Sequence, residues 1–307
     1  MRLRLPWRWL RRRPVPRRLA GADDPHAPGD AWTSLPDFLE AREGRERERF
    51  DAQWRVASAV LGAHAATGVS GLCTLCGGDT RFGPPGRGAG GDLREGLACR
   101  RCGINARMRH ALALLVEGLD PSTARVYVTE QASRGFVWLQ HHVPSARGSE
   151  YGLDAARRAR FEAWYRDVGG RGALCEADVT ALPQPDASLD AVGCFDVLEH
   201  VPDYRAALRE FARVLAPGGR LVLTAPFLEA RHDTLVRARM GADGRIEHVE
   251  PEEIHGDPVS GGVLCYYHFG WDLLDAVREA GFRHAAWVRT FAPEQALFGL
   301  WAIRAER

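Results

Sequence analysis

Two cysteine pairs constrain this chain more than any other feature. Cys73 and Cys76 stand in CTLCGG and Cys99 and Cys102 in CRRCGI, with 22 residues between Cys76 and Cys99. A two-residue spacer lets both thiolates of a pair face one ion about 2.3 Å away, and the glycine after each pair permits the turn that brings backbone N–H groups toward sulfur. The intervening stretch, GGDTRFGPPGRGAGGD, is built of Gly and Pro runs with little core-forming pattern. Four thiolates close a tetrahedron, so the spacing predicts one structural zinc ion whose binding energy replaces a hydrophobic core. The rival readings are chance pairing or a redox dithiol, but a redox pair expects a single C-x-x-C at a helix start. The three remaining cysteines, Cys175, Cys194 and Cys265, have apolar or strand-like neighbours and read as packed small hydrophobes without chemistry.

An odd cysteine count with two tight pairs is unlike a secreted disulfide framework, so residence in the cytoplasm is expected. No apolar run approaches the roughly 18 residues a bilayer span needs. Every basic residue is arginine, which excludes chemistry that depends on a lysine Schiff base. Eight of those arginines fall in the first twenty residues, which hold no acid, so the rest of the chain is net acidic. With Trp7, Trp9 and Leu10 among them, this arm could meet an anionic membrane surface or a nucleic-acid backbone. Pro6, Pro14 and Pro16 work against a helix, and a disordered tail is the plainer expectation.

The chain divides by composition. Residues 1–35 are expected as a disordered basic arm and linker, 36–67 as a helix with a charged first half, 68–108 as a zinc ribbon, and 109–307 as the main domain. In that last part helices and strands alternate: ARMRHALALLVEGL, ARVYVT, SRGFVWLQHH, a short strand near ARGSEY, AARRARFEAWYRDV, GALCEA, DAVGCF, DYRAALREFARVL and RLVLTAP. This alternation predicts an α/β fold with a doubly wound, mostly parallel sheet. A polar loop from 227 to about 264 precedes the helix WDLLDAVREAG and two closing strands that form a hairpin.

The segment EADVTALPQPDASLDAVGCFDVLEHVPDYRAALREFARVLAPGGRLVLTAPF resembles class I S-adenosylmethionine-dependent methyltransferases of the type 11 kind. The matching features are Asp178 after a short strand, the D-A-S-L-D turn, the strand ending in Phe195 and Asp196, the V-L-E-H-V run and L-x-P-G-G-R-L, in that order. The resemblance extends over most residues from Leu72 onward. It implies a seven-stranded Rossmann-like sheet with S-adenosylmethionine as cofactor. It also implies Asp178, with Val179, at the adenine, Glu150 at the ribose hydroxyls, and Phe195 and Asp196 at the strand end that borders the cofactor. One departure is plain: the usual glycine-rich loop after the first strand is replaced by Thr129, Glu130, Gln131, Ala132 and Ser133. Glu130 or Gln131 is then expected to accept from the ammonium of the cofactor.

Methyl transfer from a sulfonium requires alignment, proton removal where the nucleophile is OH or NH, and no catalytic metal. The stretch HVEPEEIHGDPVSGGVLCYYHFG is rich in proton-transfer groups, and a parallel sheet would bring it over the crevice as a lid. His255, oriented by Asp257, is the candidate base, with His200 from V-L-E-H-V and His268 behind it. The acceptor, small molecule or macromolecule, is not written in the sequence. The competing function is a non-catalytic binding module, a zinc ribbon joined to a degenerate cofactor fold and directed at nucleic acid or protein.

Overall fold

Short apolar runs become strands buried on both sides, and amphipathic helices cover them. The structure is a computed structural model describing residues 31–64, 66–84, 91–256 and 261–307, so the arginine arm, Arg87 and Asp257 fall outside the described residues. In chain order the elements are β1 (Ala31–Trp32), α1 (Leu35–Glu40), a π-helical turn (Ala41–Arg45), α2 (Arg47–Ala63), and the hairpin β2 (Ser70–Cys73) and β3 (Gly78–Arg81). The main domain follows with α3 (Ala106–Val116), β4 (Val126–Val128), α4 (Arg134–His142), β5 (Arg147–Gly148), α5 (Ala155–Asp167), β6 (Leu189–Phe195), α6 (Tyr204–Val214) and β7 (Leu215–Thr224). Short strands β8 (Leu235–Val236), β9 (Ala238–Met240), β10 (Ile246–His248), β11 (Ile254–His255), β12 (Val263–Leu264) and β13 (Tyr267–His268) come next. The chain ends with α7 (Leu273–Glu279), β14 (Arg283–Ala292) and β15 (Leu297–Glu306).

The seven-stranded sheet has the order β1-β14-β15-β7-β6-β4-β5. Strands β5, β4, β6 and β7 pair in parallel, while β15, β14 and β1 each join antiparallel to the neighbour before them. The closing antiparallel hairpin therefore inserts next to β7. Side chains alternate across the pleat: Val126 and Val128 enter one core with α3, α4 and α5, and Tyr127 enters a second core with α1, α6 and α7. Polar caps set the helix starts, since Asn105, Ser133, Asp154 and Asp203 each accept from a backbone N–H in the first turn that follows.

Four details depart from the sequence expectations. Trp32, assigned to a disordered linker, is buried and pairs with Trp287 on β14. The strand expected at GALCEA shrinks to one parallel bridge between Glu176 and Glu150, because the Gln131 side chain takes Ala173 O and Cys175 N–H in place of a ladder. The polar loop after β7 folds into paired short strands, β9 with β10, β11 with β12 and β8 with β13. The cysteine-rich segment does share the main core: Leu75, Phe82, Leu97 and Ile104 pack in one cluster with α3 and α4. Arg109, 1% exposed, explains much of that docking. Its guanidinium donates to Leu97 O in the cysteine-rich segment and to Gln295 O and Ala296 O of the closing hairpin, over the Phe82 ring.

Candidate functional site

From β4 the chain passes to β5 on one side and, later, to β6 on the other, so a crevice opens at the carboxyl ends of these strands. The loop after β4 forms one wall without glycine. Gln131 N–H donates to Ser149 O, Ala132 N–H donates to Glu150 Oε1 at 2.6 Å, Trp164 Nε1 donates to Ala132 O, and Ser133 Oγ caps α4. Four anchors thus replace the backbone freedom that glycine would have given.

The acids expected at the cofactor occupy different situations. Glu130 stands at the end of β4 with Oε2 buried and lacking a hydrogen-bond partner. Burial pushes its carboxyl up to about 8, with the Arg107 charge opposing and the charges of Glu150 and Asp196 reinforcing the rise. Gln131 is spent locally: its amide donates to Ala173 O at 2.9 Å and accepts from Cys175 N–H at 2.7 Å. Glu150 ends β5, one oxygen held by Ala132 N–H. Asp178 is exposed, and Oδ1 accepts from both N–H and Oγ1 of Thr180 in a local turn. Val179 and Phe195 are buried.

Asp196 holds a left-handed backbone conformation, φ 54°, directly after β6. An aspartate held there signals surroundings that over-determine it. Arg94 NH1 and NH2 donate to its two oxygens at 2.7 and 2.6 Å, Thr224 Oγ1 donates at 2.8 Å, and Arg107 Nε lies 3.2 Å away. Burial alone would raise this carboxyl, but the charges of Arg107 and Arg94 outweigh it and hold Asp196 below the ordinary carboxylate range. Arg94 belongs to the cysteine-rich segment, so that segment reaches the crevice itself. Its sequence signal was only one arginine in a thinly basic loop.

On the β6 side, the segment after β7 packs back onto the turn that follows β6, where Tyr266 N–H donates to Glu199 O and His200 Nδ1 donates to Leu264 O. The His200 and His255 rings meet edge to face at 5.0 Å, and His255 lies 6.5 Å from His268 in stacked orientation. Glu253 Oε1 accepts from His255 Nε2 and His268 Nε2, both at 2.9 Å. His255 is pushed up to about 11 by Cys265, Glu199 and Glu253, against the opposing effect of burial. Glu199, Glu253 and Cys265 are cluster members that sequence reasoning passed over. Cys265 is buried beside His255 and His268; burial raises its thiol, but hydrogen bonds from the two rings, and then their charges, outweigh burial and lower it.

The four paired cysteines converge, their sulfurs within 4.8 Å of one another and Cys76 Sγ 3.8 Å from Cys99 Sγ. Such spacing suits a tetrahedral ion with bonds of about 2.3 Å. Arg101 N–H donates to Cys99 Sγ at 3.3 Å, the backbone-to-sulfur contact expected of such a turn.

Residues 132–223 match the family described as Methyltransferase domain. The chain is 47% identical over 66 residues to 27-O-demethylrifamycin SV methyltransferase of Amycolatopsis mediterranei, covering 22% of this chain and 24% of that protein. It is 36% identical over 124 residues to demethylmenaquinone methyltransferase of Deinococcus radiodurans, covering 39% and 50%. Among solved structures, an S-adenosylmethionine-dependent methyltransferase from Mesorhizobium loti shares 19% identity over 64% of this chain and 96% of its own, with a TM-score of 0.41. The chain thus spans from a quarter to half the length of the two curated relatives. The matched residues include β5, β6 and most of β7, and no helix among the described residues is long and apolar enough to cross a membrane.

Proposed function

We propose that this protein is an S-adenosylmethionine-dependent methyltransferase with a structural zinc ion in its cysteine-rich segment. The match of residues 132–223 to a methyltransferase domain carries the proposal. The donor set agrees with it: Glu130, Glu150 and Asp178 are carboxylates near the crevice edge, suited to ammonium, hydroxyl and amino donors respectively. Glu130 Oε2, buried and unpartnered, has the chemistry to meet a cation, whereas the carboxamide of Gln131 is already committed and is a poor candidate.

When bound, the cofactor supplies an activated methyl group on a sulfonium. The work left to the chain is binding, orientation and proton handling. Glu130 ionises as it receives a positive charge, Glu150 and the loop wall fix the orientation, and Val179 and Phe195 contribute apolar surface. The segment carrying His255 and His268 covers the acceptor side and excludes water. His200, whose Nδ1 faces Leu264 O at 2.8 Å, keeps Nε2 free of a close backbone contact. Of the three histidines, His255 and His268 already engage Glu253 through Nε2, which leaves His200 the better placed to face the acceptor.

The ribbon sulfurs would hold zinc without an open position, a structural role, and Arg94 would let the ribbon shape the acceptor side. The odd cysteine count with two tight pairs favours a reducing compartment such as the cytoplasm. The acceptor is proposed only as a group bearing OH or NH. Calorimetry with S-adenosylmethionine, followed by transfer of a labelled methyl group into a cell extract, tests the reading. One equivalent of cofactor bound and label incorporated supports it. Failure to bind cofactor would favour the non-catalytic binding module.

A further inference from the structure

Beside the crevice lies a second constellation that the zinc ribbon does not explain. Glu199 is wholly buried, and neither of its carboxylate oxygens has a hydrogen-bond partner. A carboxylate in that state is costly unless a cation meets it. The groups that face it are His255 Nδ1 at 3.7 Å and His200 Nε2 at 3.8 Å, both beyond hydrogen-bond reach.

The far nitrogen of each ring is already committed. His200 Nδ1 donates to Leu264 O at 2.8 Å, and His255 Nε2 donates to Glu253 Oε1 at 2.9 Å. Those bonds turn the remaining nitrogens, His200 Nε2 and His255 Nδ1, toward Glu199, where a bound ion takes the place of any proton on His255 Nδ1. An imidazole oriented through its other N–H by a carbonyl or carboxylate is the outer-shell arrangement of a metal ligand. The three candidate donor atoms lie within 4.8 Å of one another, and the 3.7 to 3.8 Å gaps can be bridged by one ion with bonds of about 2.0 to 2.2 Å.

We propose that Glu199, His200 and His255 hold a divalent transition-metal ion, separate from the ion of the ribbon. Two imidazoles and one carboxylate select zinc, manganese, iron or nickel over magnesium and calcium. Three protein ligands leave at least one coordination position for water or for an oxygen of the acceptor. Only that acceptor role rests on the methyltransferase reading; the ion itself does not. The neighbouring group of Glu253, His255, Cys265 and His268 also clusters within 4.8 Å, but its bonds are already made. Glu253 Oε1 accepts from two rings, and Cys265 Sγ donates to Tyr267 O.

Tag-free full-length protein carrying its ribbon metal is titrated calorimetrically with Zn2+ and with Mn2+ alone, and metal content is measured after dialysis. The expected result is one equivalent per chain beyond the ribbon ion. Glu199→Gln and His255→Ala abolish that equivalent and leave the ribbon equivalent in place. Glu253→Gln, which removes the group orienting His255, weakens binding about 10- to 100-fold. Cys265→Ser leaves it unchanged. Because Glu199 is buried, melting curves accompany its variant, and the partly exposed His255 gives an independent reading. Absence of a second equivalent, or wild-type binding by His255→Ala, would overturn the site. Loss on Cys265→Ser with retention on Glu199→Gln would overturn the ligand assignment.

Discussion

Glu130 shows how much one side chain's surroundings decide. Its folded pKa of about 8 lies above the ordinary 4.5, so protons favour the folded form. That contribution is complete below pH 4.5 and is lost as pH rises through about 8. Glu130→Gln should therefore melt higher than wild type at pH 8 and like it at pH 4, as differential scanning calorimetry will reveal. The same shift couples cofactor to protons: a cation that ionises Glu130 releases a proton at pH 7, measurable as a buffer-dependent binding enthalpy. A second residue-scale prediction concerns orientation. Glu150→Ala should cost about 1 to 3 kcal/mol of cofactor affinity, since it removes an acceptor and frees the Ala132 N–H; equal affinities in both proteins would remove Glu150 from the site. Glu130, Glu150 and Asp178 stood out in the sequence because carboxylates after predicted strands are few. Glu199 was not, because a buried glutamate inside V-L-E-H-V looks like any helix-start acid until its lack of partners is visible.

At the scale of elements, the clustering of the four cysteines was legible in their spacing, and the packing of their segment was not. Cys73, Cys76, Cys99 and Cys102 needed no structure to be grouped, as thiolate pairs at that interval have few other uses. That the segment also enters the main core depends on Arg109, whose long side chain reads from sequence as a surface residue of α3. Its three carbonyl partners come from two distant parts of the chain. Arg109→Met should lower stability by roughly 3 kcal/mol through the buried carbonyls it orphans, measured by urea denaturation. Cys99→Ser should remove one equivalent of zinc and lower the melting temperature; undiminished zinc content would refute the ribbon. The missing strand at GALCEA has a simple cause: Gln131 satisfies the backbone at 173 and 175, so no ladder is needed there.

Over the whole molecule, the helix and strand alternation was enough to predict a doubly wound sheet, since βαβ connections leave few other arrangements. The paired strands after β7 were hidden, because each is only two or three residues long. If the crevice binds cofactor, S-adenosylmethionine at a hundred times its dissociation constant should add about 2.7 kcal/mol of stability to the entire fold, seen as a raised melting temperature. The edge strand β1 has a consequence of another kind. It is two residues long, yet it pairs with β14, a ten-residue strand that would otherwise border the sheet with open N–H and C=O groups. Such an edge invites strands from other copies. A truncation beginning at Ser34 therefore removes more than the buried Trp32 ring: it uncovers a template, and the shortened chain should self-associate with rising concentration in light scattering while the parent does not.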